Sequence, residues 1–220
     1  MPGFRVERDF LGEKQVPKEA YFGISTLRSF EIFKVSKRKF PLEIIYAIAQ
    51  IKKAAVSANF ELGQIDAKKK SAILKACDEI LAGKFDAEFV LDVFQVGSGT
   101  PSHMNVNEVI ANRASEIITG SREKKAVDVH DDVNIGQSTN DVVPAAIRVA
   151  ALLLVEGLEQ SLKELHFELQ KKSKDFSKIL KAGRTHLQDA TPITLGQEFG
   201  AYARAIEKHI VRLNESKVFL

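Results

Sequence analysis

The stretch Val142–Lys172 reads VVPAAIRVAALLLVEGLEQSLKELHFELQKK and decides the fold class of this chain. Its apolar side chains recur three or four residues apart, at Val143, Ile147, Ala150, Leu154, Leu158, Leu162, Leu165 and Leu169. This spacing predicts one amphipathic helix, which at about 1.5 Å per residue would be about 45 Å long. A compact domain made from 220 residues cannot cover a helix of that length.

A second apolar stripe near the end of the chain has almost heptad spacing. It consists of Phe199, Ala203, Ile206, Ile210, Leu213 and Leu220. Two long stripes with only each other to pack against leave much apolar area exposed. We therefore expect partner helices, either from further residues of the same protein or from other subunits.

The region before the long helix predicts a smaller unit. The first 40 residues mix short apolar and charged groups with glycine and proline, which indicates short strands, turns and loops. Helices are expected at about Leu42–Leu62, Ala67–Leu81 and Met104–Ile118. The predicted fold class is mainly α, with a small N-terminal α domain containing short strands at residues 1–132. Residues 133–220 are expected to form the first, truncated part of a central helical-bundle domain.

Composition and charge exclude several classes of function. Lys plus Arg number 32 against 29 Asp plus Glu, without a basic block, so nothing favours nucleic acid. The single cysteine, Cys77, cannot form an internal disulfide or supply the thiolates of an iron–sulfur cluster. The sequence contains no apolar run typical of a signal peptide or a membrane span. A cytoplasmic protein without nucleic acid or membrane partners is expected.

Three polar loops stand out from the helical background. They are GSGTPSHMN at 97–105, HDDVNIGQSTND at 130–141 and GRTHLQDATPITLGQ at 183–197. Each leads into a predicted helix, whose first N–H groups and positive dipole end favour anions. Hydroxyl and amide side chains with a histidine, and no cofactor fingerprint, suit a small polar anion such as a carboxylate.

Helix capping would account for some of the polar residues in these loops. Asn140 or Asp141 would cap the helix that follows the second loop. In the third loop, Thr194 with Gln197 fits a capping box, and Thr191–Pro192 fits a helix start. These residues therefore need no function to explain them.

The same loops carry a resemblance to a known family. The segments GSGTPSHMNVNEVIANRA, DDVNIGQSTNDVVPAA and GRTHLQDATPITLGQE resemble the three conserved blocks of the fumarase/aspartase superfamily, in the same order and spacing. The amino-acid sequence of these segments is most similar to that of class II fumarate hydratases, because Ser98 stands where aspartases commonly have alanine. The resemblance implies a homotetramer whose long helices share a central bundle, and whose active sites each draw loops from three chains.

The resemblance also assigns roles to individual residues. The expected substrate-binding residues are Ser98, Thr100, Ser138, Thr139 and Asn140. Thr185 and His186 would be catalytic, with His186 orienting or polarising water or substrate. His130, Asp131 and Asp132 correspond to an accessory anion site of fumarases. Here His130 abuts Asp131 directly, without the Pro-Asn pair of fumarases, which weakens that last assignment.

The function implied is a lyase of the tricarboxylic acid cycle that reversibly hydrates fumarate to L-malate, with no metal or organic cofactor. His103 would disfavour an ammonium group if charged, which favours malate over aspartate. The family's fourth block carries the serine thought to act as base, and these 220 residues do not contain it. The chain alone is therefore expected to be inactive.

Three alternatives stay open. An aspartate ammonia-lyase, which releases fumarate and ammonia, has the same fold. A fragment without the catalytic loop could instead be a non-catalytic helical assembly module. A metal-dependent hydrolase would draw its ligands from His103, His130, Asp131 and His186, because imidazole and carboxylate bind divalent cations.

Overall fold

The computed structural model describes residues 3–220, which form two compact units that divide between Ala150 and Ala151. The first unit contains a hairpin of strands β1 (Phe4–Asp9) and β2 (Gly12–Pro17), followed by helices α1 (Ile24–Ile32), α2 (Leu42–Glu61), α3 (Ala67–Leu81) and α4 (Thr100–Thr119). Helix α5 (Thr139–Asp175) runs from the first unit into the second, where β3 (Leu180–Thr185), β4 (Gln188–Thr194) and α6 (Leu195–Lys217) follow. The predicted mainly α fold class is confirmed.

The core of the first unit lies between α2, α3 and α4. Ile48, Ile73 and Ile110 are completely or almost completely buried there. Helix α3 has the predicted bounds because Asp66 caps it, accepting hydrogen bonds from the backbone N–H groups of Lys68 and Lys69. The core therefore forms where the apolar spacing of the sequence predicted it.

The N-terminus of α1 is capped by residues far away in the sequence. The buried Glu108 carboxylate of α4 accepts hydrogen bonds from the backbone N–H groups of Gly23, Ser25 and Thr26, at 2.9, 2.8 and 3.1 Å. Glu7 of β1 accepts the remaining bond from Ile24 N at 2.8 Å. Two carboxylates thus satisfy the first turn of α1 and complement its positive end.

The burial of helix α5 changes along its length. Its first part is buried in the core of the first unit through Val142, Ala146 and Ala150. Residues 133–150 therefore group with the first unit, whereas the expected domain boundary lies after residue 132. That boundary stays a prediction of domain organisation. No helix in the described part of the chain has the length and apolar character needed to cross a membrane.

The second unit combines the remainder of α5 with a hairpin and α6. The capping box of Thr194 and Gln197 at the start of α6 is confirmed. The predicted helix start at Thr191–Pro192 is wrong, because both residues lie in β4 and Pro192 is paired with Ala182 of β3. The antiparallel pairing with β3 keeps the chain extended until Thr194.

Candidate functional site

The N-termini of α4 and α5 meet in the first unit. Gly99 has a φ of 75°, and a Cβ atom placed there would lie 3.0 Å from Cγ1 of Val143 in α5. His103 Nδ1 and Thr139 Oγ1 are 2.9 Å apart and share a hydrogen bond between the two helices. The structure therefore brings the Ser98–Thr100 and Ser138–Asn140 loops together.

The first loop presents two hydroxyl groups. Ser98 Oγ and Thr100 Oγ1 lie 3.0 Å apart, and Ser98 is exposed. Gln95 fixes the backbone behind them, since its Oε1 accepts from Ser102 N at 2.9 Å and its Nε2 donates to Ser102 Oγ at 2.8 Å. Helix α4 begins at Thr100, earlier than predicted, with Pro101 in its first turn, where a missing N–H costs little.

The second loop places its polar residues at the start of α5. Ser138 caps this helix, accepting from Asn140 N at 3.2 Å on its side chain and from Val142 N at 3.0 Å on its carbonyl. The expectation that Asn140 or Asp141 is the cap is wrong, because α5 already begins at Thr139. The Asn140 side chain is exposed and is left available to a ligand.

His103 is held in its neutral form. The residue is 1% exposed, and burial, together with the nearby charge of Lys52, lowers the pKa of His103 to about 3. The argument that His103 disfavours an ammonium group required a charged imidazole, and this condition is not met near neutral pH. The imidazole instead acts as a fixed hydrogen-bond partner of Thr139.

Three polar residues beneath these loops, Lys52, Asn107 and Asn134, had no role assigned from the sequence. Lys52 Nζ donates to Asn134 Oδ1 at 2.9 Å, and Asn107 Nδ2 donates to the same oxygen at 3.4 Å. A signal for Lys52 exists, because it follows the buried Ile48 and precedes the buried Val56 by four residues each. A lysine four residues from an apolar side chain on each side lies on the same helix face and is expected to be buried with them.

Thr185 and His186 lie on the β3–β4 hairpin of the second unit, and both are exposed. Thr185 pairs with Gln188, so His186 and Leu187 form a two-residue turn, with φ angles of 46° and 61°. Two left-handed residues match a type I′ turn, which usually contains Asn and Gly. Leucine lacks a preference for positive φ, so Leu187 is strained here, and such strain is concentrated at functional sites.

The proposed accessory residues are held by local structure. The Asp132 carboxylate accepts two 2.8 Å hydrogen bonds from Lys69 Nζ and a third from Asp128 N. The Asp128 carboxylate in turn accepts from the backbone N–H groups of His130 and Asp131. Residues 3–220 contain no group of three His, Cys, Asp or Glu side chains placed to hold a metal ion. The metal-dependent hydrolase therefore has no ligand set in this part of the chain.

Comparison with known sequences gives matches along nearly the whole chain. The model of a family described as "Lyase" matches residues 12–219. The class II fumarate hydratase of Campylobacter jejuni is 52% identical over 201 residues, which are 90% of this chain and 43% of that protein. The aspartate ammonia-lyase of Bacillus subtilis is 45% identical over 221 residues, which are 99% of this chain and 46% of that protein. The chain thus spans just under half the length of these relatives.

Solved structures have the same fold. A fumarate lyase:delta crystallin from Brucella melitensis matches with a TM-score of 0.92 at 44% identity, over 98% of this chain and 51% of that chain. A class II fumarase from Schistosoma mansoni matches with a TM-score of 0.89 at 43% identity, over 94% of this chain and 44% of that chain. Sequence and fold comparisons therefore agree.

Proposed function

This chain belongs to the lyase family that includes fumarases and aspartate ammonia-lyases, and from this premise we propose that the natural protein reversibly hydrates fumarate to L-malate. The observation that carries the proposal is the meeting of two helix N-termini, one with the hydroxyl groups of Ser98 and Thr100 and the other with Thr139, which is hydrogen-bonded to His103. Such N-termini favour carboxylates. A dicarboxylate fits a site of this kind because each of its ends can take one set of donors.

The reaction needs stabilisation of negative charge. In the direction from malate, a base removes the proton beside one carboxylate, hydroxide leaves the neighbouring carbon as water after protonation, and the double bond of fumarate forms. The dianionic form of the carboxylate that appears in between is stabilised by preorganised donors. We assign this task to Ser138, Thr139 and Asn140, with Ser98 and Thr100 holding the other carboxylate. The residues described here do not include the proposed base.

Thr185 and His186 complete the proposed site in the assembled protein. The hairpin turn presents the His186 imidazole, a group that exchanges protons or donates hydrogen bonds near neutral pH. We propose that His186 orients or polarises the water that is added to fumarate, and that Thr185 binds the substrate beside it. His130, Asp131 and Asp132 are retained only as a candidate accessory anion site.

We also propose a homotetramer with active sites shared between subunits. The second part of α5 exposes Leu154, Leu158 and Leu165, which lie on one face of the helix, to 57, 49 and 46%. Apolar side chains in such a row are typical of an interface between helices. A cytoplasmic location suits the single thiol of Cys77, which is fully buried and free.

The experiment that tests the function compares two substrates with the whole natural protein. Fumarate formation from L-malate and from L-aspartate is followed by ultraviolet absorbance. We expect kcat/KM for malate to exceed that for aspartate at least about a hundredfold, or about 2.7 kcal/mol of transition-state discrimination. Efficient release of ammonia from aspartate would instead identify an aspartate ammonia-lyase. A protein that turns over neither substrate would favour the assembly module.

A further inference from the structure

Lys52 is a buried charge without a partner of opposite sign. Its side chain on α2 is 1% exposed, and no carboxylate in residues 3–220 lies within ion-pair distance of it. Buried ammonium groups are normally paired, because desolvation of an isolated charge is costly. Burial accordingly lowers the pKa of Lys52 to about 7. This unfavourable desolvation occurs next to the loop that precedes α5, which is proposed to bind an anion.

The ammonium group is connected to that loop by hydrogen bonds. Lys52 Nζ donates to Asn134 Oδ1 at 2.9 Å, and Asn134 Nδ2 donates to the backbone oxygen of Gln137 at 3.2 Å. Gln137 immediately precedes Ser138, the cap of α5. Lys52 therefore supports the segment that carries the Ser138–Asn140 wall.

Further polar atoms around this position lack partners. His103 Nε2 and Asn107 Oδ1 are both buried, and neither has a hydrogen-bond partner among the described residues. The other side of the His103 ring contacts Thr139, and the charge of Lys52 acts on this ring. The immediate surroundings of Lys52 Nζ are therefore polar, unlike the rest of the core, and they lie against the proposed ligand site.

A hydrogen bond to Asn134 does not explain the charge. A neutral amide on α2 could donate the same bond without the desolvation cost of an ammonium group. What a neutral donor cannot provide is a positive charge, which in a poorly solvated interior acts over several ångströms on a nearby anion. The charge itself thus needs a counterpart, and residues 3–220 supply none.

We propose that Lys52 is a positioning residue of the anion site, whose buried ammonium holds Asn134 and provides the positive charge that a bound dicarboxylate offsets. This inference rests on the proposed function, because it takes the dicarboxylate site as given. It adds a residue that touches no substrate and acts through Asn134 and through its field. Binding of the dianion should in turn stabilise the charged form of Lys52.

The ionisable groups around Lys52 do not change their protonation near pH 7, so a proton exchanged there can be assigned to Lys52. On α3 the buried Cys77 thiol has a pKa raised to about 12, and on α4 the pKa of His103 is lowered to about 3. Lys53, next to it on α2, is paired with Asp78, and Asp132 in the segment before α5 is paired with Lys69. Near pH 7, Lys52 is therefore the group of this cluster that changes its protonation.

The experiment uses the whole natural protein and succinate, a dicarboxylate that cannot be dehydrated. Calorimetric titrations at pH 7 in two buffers of different ionisation enthalpy measure the affinity and the protons exchanged. The wild type should take up as much as about half a proton per site, because a group at its pKa is half charged before binding. Lys52→Met should abolish this uptake and weaken succinate binding about tenfold, as expected for loss of one charge acting through the interior.

Two further variants separate the charge from the hydrogen bond. Lys52→Gln keeps a donor for Asn134 but not the charge, so it should resemble Lys52→Met. Lys53→Met is the matched control on the same helix and should bind succinate like the wild type. Wild-type affinity and unchanged proton exchange in Lys52→Gln would overturn the inference while malate turnover by the wild type upheld the proposed function. Absence of wild-type turnover would overturn both.

Discussion

At the scale of single residues, the His186–Leu187 turn shows how a side chain is presented for chemistry. Left-handed backbone costs about 1–2 kcal/mol for a residue with a Cβ atom. Leu187 is fully exposed, so nothing within the second unit repays that cost through burial. The turn geometry is therefore best explained by what it does for its neighbour His186.

We predict that His186→Asn lowers the rate of malate dehydration by about two orders of magnitude in the whole natural protein. Asparagine tolerates the left-handed conformation and keeps a hydrogen-bond donor, but it cannot exchange a proton near neutral pH. The fold should be retained, which circular dichroism checks. His209→Asn, at an exposed position on α6, is the control and should leave the rate unchanged. Equal rates in wild type and His186→Asn would remove His186 from the mechanism.

At the scale of secondary structure, the capping of α1 shows a helix start that no local pattern reveals. Gly23 provides no side-chain cap, and the partners of its first turn are Glu7 and Glu108. A Cβ atom on Gly23 would lie 2.8 Å from Glu108 Oε1 and 2.9 Å from Glu7 Oε2. The missing side chain at this position leaves room for both carboxylates.

We predict that Glu108→Gln lowers the free energy of unfolding by about 2–3 kcal/mol, as measured by urea denaturation. The amide would place a donor opposite Ser25 N, which now donates to Glu108 Oε1, and would weaken the remaining charge-assisted bonds. Glu123→Gln is the control, because Glu123 is exposed and forms only a surface ion pair with Lys18. A loss of the same size in both variants would count against long-range capping.

The elements that were predicted correctly have local signals. Helix α3 lies between Asp66, which caps it, and Gly83, which has a φ of 75°. The β3–β4 hairpin was not predicted because its turn consists of His and Leu, and turn recognition depends on residues that adopt positive φ easily. Without a recognisable turn, its two strands were not predicted either, and Thr191–Pro192 in β4 was wrongly predicted to start a helix.

The sequence predicts the loops of the candidate site but not the residues that support them. The loops that carry Ser98, Thr100 and Ser138–Asn140 were predictable from polar residues ahead of helices, and the structure brings these loops together. The individual residues came only from the family resemblance. The buried lysine and asparagines beneath them could not be assigned a role, because their partners are set by tertiary packing. Sequence patterns identify the residues that face a ligand more readily than those that support them.

At the scale of the whole molecule, the second unit exposes more apolar surface than a monomer would retain. Leu154, Leu158 and Leu165 are exposed on one face of α5, and Val211 of α6 is also half exposed. We predict that the 220-residue chain self-associates at micromolar concentration, as measured by light scattering. Leu154→Lys together with Leu158→Lys should reduce the average mass, whereas Glu156→Lys should not. A monodisperse monomer would contradict the bundle interpretation.

The contact between Gly99 and Val143 has a consequence for recombination among relatives. A crossover anywhere between these positions would join the α4 loop of one parent to the α5 start of another. A Cβ atom at position 99 would lie 3.0 Å from Val143 Cγ1 on a backbone with positive φ, so a side chain there would be strained and would require Val143 to shift. Chimeras should therefore survive only when both parents have a compatible pair, so the two loops are exchanged most safely as one inherited block.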